Sequence, residues 1–83
     1  MKNEMTLAFD SISENEAFAR VAVAAFVTQL NPTLEEVADI KTAVSEAVTN
    51  AIIHGYPDGI HTVIVRCRTE DQTVQVQVID EGV

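Results

Sequence analysis

Apolar and polar residues alternate at the start of the chain. Met5, Leu7 and Phe9 are separated by Thr6 and Ala8 and followed by Asp10, a period of two that predicts a strand with one buried face. The period then changes to three and four. Ser13-Glu-Asn-Glu16 reads as a capping box, with Ser13 as N-cap and Glu16 reaching back to it. It opens a helix whose apolar stripe is Phe18, Val21, Ala22, Ala25, Phe26 and Leu30, ended by Asn31-Pro32. Thr33 and Glu36 form a second capping box. The helix it starts runs to about His54, with Gly55 as a left-handed cap and Leu34, Val37, Ile40, Val44, Val48 and Ala51 as its stripe. Pro57-Asp-Gly59 is a turn. Val63, Val65 and Cys67 alternate with polar or outward positions in a second strand. Glu70-Asp71-Gln72 turns the chain into a third strand, in which Val74, Val76 and Val78 alternate with Thr73, Gln75 and Gln77.

The order strand, helix, helix, strand, strand predicts an α+β fold. Its form is a two-layer sandwich with the helices on one face of a mixed β-sheet and an unpaired edge where further strands would add. The 83 residues make one small domain, without internal repeats or linkers. A chain of that size buries only about 60–65% of its unfolded surface, so the core is thin. Cys67 is the only cysteine, which suits a reducing compartment better than a disulfide scaffold, and its strand position predicts a half-buried thiol. Residues 1–5 begin no apolar leader and the apolar run 21–27 is too short to span a bilayer, so the expected location is the cytoplasm, away from membranes. Thirteen acidic against five basic side chains give a net charge of −8. That surface repels nucleic-acid backbones and suits a basic protein partner, or a site where Mg²⁺ offsets phosphate charge.

The candidate chemistry lies in residues 45–56, Ser-Glu-Ala-Val-Thr-Asn-Ala-Ile-Ile-His-Gly-Tyr, and in Asp80-Glu81-Gly82. Glu46 and Asn50 are four apart on the second helix, so a carboxylate and a carboxamide share one face, nearly opposite the apolar stripe. The carboxylate can accept a proton from a hydroxyl nucleophile. The carboxamide oxygen is a hard, neutral ligand for Mg²⁺. On spacing alone an ordinary solvated helix face is the commoner reading, because Glu and Asn at this separation are frequent on exposed faces. Asp80 keeps the parity of Val74, Val76 and Val78, which aims it at the face the helices cover. A buried carboxylate needs a partner there, such as a ligand amino group; the other reading is a turn or cap aspartate. Gly82 permits close backbone approach to a ligand. His54 either meets phosphate or ribose, or rests against the helix dipole. Arg20 either pairs with Glu16 or contacts a protein partner. Neither a P-loop nor a G-x-G-x-x-G motif is present, and His54 and Cys67 do not make a zinc site.

Together these residues resemble the GHKL, or Bergerat-fold, ATPases, the group that includes histidine kinases, gyrase B and MutL. Glu46-x-x-x-Asn50 matches the family's N-box, and Asp80-x-Gly82 the start of its first glycine box. Asn3-Glu-Met5, residues 13–21, Val23-Ala-Ala-Phe26 and residues 45–56 narrow the likeness to the anti-sigma serine kinases of endospore-forming bacteria. The resemblance implies a protein that holds off a sporulation sigma factor and phosphorylates a serine of an anti-anti-sigma protein with ATP and Mg²⁺. It implies Glu46 as general base, Asn50 as Mg²⁺ ligand, Asp80 as acceptor of the adenine amine and Gly82 in the adjoining loop. It also implies a homodimer. Family domains continue into an ATP lid and a second glycine box, so residues 1–83 are expected to be the N-terminal portion of one such domain, weak in ATP binding by itself. The alternatives are the ATP domain of a sensor histidine kinase, which normally follows a phosphoacceptor hairpin, and a non-catalytic interaction module.

Overall fold

The computed structural model describes residues 2–54 and 59–80, with the side chains of His54 and Asp80 left outside that description. The elements are β1 (Lys2–Asp10), α1 (Glu14–Val27), a short 3-10 helix (Thr28–Leu30), α2 (Leu34–His54), β2 (Thr62–Glu70) and β3 (Thr73–Asp80). The layering follows the α+β expectation, with both helices packed over the sheet. The strands lie in the order β1-β2-β3, and both pairings are antiparallel. No parallel pairing, as in a mixed sheet, occurs among the described residues.

Register explains the buried face. Phe9, Leu7 and Met5 stand opposite Val63, Val65 and Cys67, which on their other side face Asp80, Val78 and Val76. Met5, Leu7, Phe9, Val63, Val65, Cys67, Val76 and Val78 thus meet on one surface. The central strand carries the deepest burial: Val63, Val65, Cys67 and Thr69 are at most 1% exposed. Cys67 is accordingly buried outright instead of half-buried. Asp71 makes the tight β2–β3 reversal by adopting a positive φ of 58°.

The helices depart from the expected stripes. On α1 the buried positions are Ala19, Val23, Ala24, Phe26 and Val27, while Phe18 and Val21 are 54% and 59% exposed and Ala25 is exposed. The cause is composition. From Ala17 to Val27 only Arg20 is polar, so several faces are apolar and periodicity cannot select the one that docks. On α2, Val44, Val48 and Ala51 enter the core as expected, and Ile40 packs against it. Leu34, in the first turn, is 90% exposed.

The two capping boxes also diverge. At α2 the box forms in both directions: the Thr33 amide donates to Glu36 Oε1 at 2.8 Å, and the Glu36 amide donates to Thr33 Oγ1 at 3.1 Å. At α1 it does not form. Ser13 has helical dihedrals (φ −61°, ψ −28°) and no side-chain cap bond, because capping needs an extended N-cap residue. Glu16 is engaged elsewhere, accepting a 2.8 Å hydrogen bond from the Ser45 hydroxyl of α2.

Candidate functional site

Glu46 and Asn50 sit in the second half of α2, on successive turns, and both are exposed. Their placement follows from the other side of the helix. Val44, Val48 and Ala51 are drawn into the core, which turns Glu46 and Asn50 outward. A rise of about 1.5 Å per residue puts them about 6 Å apart along the helix axis, within joint reach of one small ligand.

Asp80 is the last residue of β3, and its backbone pairs with Val63 near the start of β2. Val63 belongs to the same buried cluster as Val48 and Ala51, the residues around Asn50 in sequence. The C-terminal end of α2 leads into β2 through residues 55–61 alone. Chain topology therefore gathers the end of α2, the start of β2 and the end of β3 at one end of the molecule. His54 closes α2 there. Gly82, Glu81 and the Gly55 cap lie outside the described residues.

That end is fastened by a residue pair the sequence reading left unused. The Ser11 amide donates to the His61 carbonyl at 2.8 Å, and the His61 amide donates to Ser11 Oγ at 3.0 Å. Ser11 Oγ also lies 3.0 Å from His61 Nδ1. The link ties the residue after β1 to the residue before β2, so the strand that pairs with Asp80 starts from a fixed point.

Two concavities differ in chemistry. The larger, of about 660 Å³, lies at the opposite end of the sheet and is lined by residues such as Lys2, Glu4, Arg68, Glu70 and Asp71. Its charges are largely satisfied, by Lys2–Glu70 at 3.5 Å and Arg68–Glu4 at 3.1 Å. The second is a groove of about 520 Å³ between α1 and α2, lined by Arg20, Val21, Lys41, Thr42, Ser45 and Glu46 among others. It opens directly beside Glu46, and size therefore does not decide which is the site. Arg20 takes the ion-pair alternative, 3.8 Å from Glu16. Sequence reasoning missed the Ser45–Glu16 bond and the place of Ser45 and Lys41 on the groove that Glu46 borders. Only the position of Ser45 inside the N-box stretch hinted at it.

The donor set suits nucleotide chemistry. Among the described residues no three His, Cys, Asp or Glu side chains cluster as a metal site. Asn50 offers one exposed amide oxygen, which fits Mg²⁺ because that ion keeps several waters and takes phosphate oxygens as co-ligands. No helix among the described residues is long and apolar enough to cross a membrane.

The relatives are informative. An anti-sigma F factor of Oceanobacillus iheyensis is 61% identical over 84 aligned positions, covering 100% of this chain and 58% of that protein. Anti-sigma F factors of Geobacillus thermodenitrificans and Bacillus cytotoxicus are 60% and 57% identical over 86 positions, again covering 100% of this chain and 58% of each relative. The chain thus spans somewhat more than half the length of the curated relatives it matches. Residues 11–83 match the family described as "Histidine kinase-like ATPase domain". With nearly its whole length inside that match, the chain belongs to the histidine kinase-like ATPase family.

Proposed function

We propose that the full-length protein is an anti-sigma factor and protein-serine kinase. It binds ATP with Mg²⁺ at the α2–β3 end, sequesters a sporulation sigma factor, and phosphorylates a serine of an anti-anti-sigma protein. The observation that supports this reading most is the exposed Glu46–Asn50 pair at the end where Asp80 closes β3, in a chain 61% identical to a protein named anti-sigma F factor.

Each residue has a separable task. Glu46 accepts the proton of the acceptor serine as its oxygen bonds to the γ-phosphorus and the bridging P–O bond to ADP breaks. The Asn50 carboxamide oxygen holds Mg²⁺, Asp80 receives the adenine amine, His54 faces phosphate or ribose, and Gly82 lies in the adjoining loop. When bound, Mg²⁺ offsets charge on the phosphate oxygens, which with positioning is most of what phosphoryl transfer requires. The same reading makes the full-length protein a cytoplasmic homodimer without direct nucleic-acid contact; the net charge of −8 over residues 1–83 favours the last of these.

The test is phosphorylation of the acceptor by the full-length protein and by its Glu46→Ala variant. The variant is expected to lose about 10²–10⁴-fold in turnover, the scale of a general base, while nucleotide affinity stays the same. The product is expected to be acid-stable, as serine phosphate is and histidine phosphate is not. Undiminished turnover would remove Glu46 from the role; an acid-labile product would support the sensor-kinase alternative.

A further inference from the structure

We infer that the hydrogen bond between Ser45 and Glu16 holds Glu46 in its working position, which makes Ser45 and Glu16 positioning residues for phosphoryl transfer. The inference rests on the reading of Glu46 as the base.

The bond joins α1 to α2 at the turn that carries Glu46: Ser45 Oγ donates to Glu16 Oε1 at 2.8 Å in a partly buried setting. A hydroxyl bonded to a carboxylate is a charge-assisted and directional contact. Ser45 immediately precedes Glu46, so fixing its side chain fixes the rotation of α2 about its axis at that point. The direction in which the Glu46 carboxylate leaves the backbone is fixed with it. Glu46 borders the groove between the two helices, so an acceptor entering along the groove meets a carboxylate of set orientation.

Adhesion alone explains the pair poorly. Ala19, Val23, Val44 and Val48 already bury the helix contact, each at most 3% exposed. Glu16 is a costly addition. Its Oε2 is buried without a hydrogen-bond partner among the described residues, and Arg20 Nη1 lies 3.8 Å away, at ion-pair range only. A partly desolvated carboxylate commonly contributes less to stability than an apolar side chain of similar volume. What it adds is geometry, and catalysis is sensitive to geometry on a scale of about 1 Å.

The experiment uses the full-length protein with Mg-ATP and its protein acceptor. It measures kcat, KM, nucleotide affinity and Tm for Ser45→Ala, Ser45→Thr, Glu16→Leu, Glu46→Ala and the Ser45→Ala/Glu46→Ala double variant. Ser45→Ala is expected to lower kcat about tenfold, with KM and nucleotide affinity within about twofold. Ser45→Thr, which keeps the hydroxyl, restores most of kcat. Glu16→Leu shows the same loss of kcat with an unchanged or raised Tm, a combination that a purely structural role would not give. The double variant matches Glu46→Ala, because the effect passes through Glu46. Full kcat in Ser45→Ala and Glu16→Leu overturns the inference while leaving Glu46 as base. So does a double variant slower than Glu46→Ala by the whole Ser45→Ala factor. Full turnover in Glu46→Ala alone overturns the base assignment, and this inference with it.

Discussion

Cys67 stands between Met5 and Val76 in the sheet and has no exposed surface, and that burial pushes its thiol above the usual value. The folded state favours the neutral thiol over the thiolate. Its contribution to stability is therefore fully present below the unfolded value of about 8.5 and is lost as pH rises past it through the raised folded value. Thermal unfolding from about pH 7 to about pH 10 is expected to show a steeper fall in Tm for the natural chain than for Cys67→Ala. Parallel curves would contradict the burial argument. At this scale the sequence was partly legible. Strand alternation identified Cys67, and charge spacing identified the Arg20–Glu16 pair. The Ser13–Glu16 spacing misled, because local spacing carries no information about Ser45, 29 residues away, which captures Glu16.

The elements differ in how far their patterns decide the outcome. A strand has two faces, so alternation leaves one choice, and the inward sets of β1, β2 and β3 are those expected. A helix apolar on several sides has many orientations. For α1 the choice fell to Ala19, Val23, Phe26 and Val27, whose spacing fits against α2 and the sheet. This orientation has a measurable consequence. Phe26, 8% exposed, is expected to cost about 3–5 kcal/mol when replaced by alanine, whereas Phe18→Ser at a 54% exposed site stays within about 0.5 kcal/mol. Urea unfolding of the two variants checks the order, and a larger loss for Phe18→Ser would mean that α1 docks through its other side. The Thr33–Glu36 box was readable from sequence because every partner lies within one turn.

For the whole molecule, the short path from α2 to β2 and the antiparallel return of β3 locate the candidate site. Connectivity brings the end carrying Asn50 and His54 toward the end carrying Asp80, and the Ser11–His61 link fastens that region. The order of elements was legible in the sequence; this closure at one end required the register. Gly82 and residues 55–58 lie outside the described residues, so their share in the site rests on the motif.

Paramagnetic broadening can decide whether Glu46, Asn50 and Asp80 border one nucleotide site. Mn²⁺ would replace Mg²⁺ in an ATP titration of the isotope-labelled full-length protein. Saturable loss of amide signals is expected around residues 46–54 and 78–80 if the three residues share a site. Lys2, Arg68 and Glu70 around the larger concavity should be spared, and the loss should disappear in Asn50→Ala. Broadening centred on Lys2, Arg68 and Glu70, or unchanged in Asn50→Ala, would contradict a shared site.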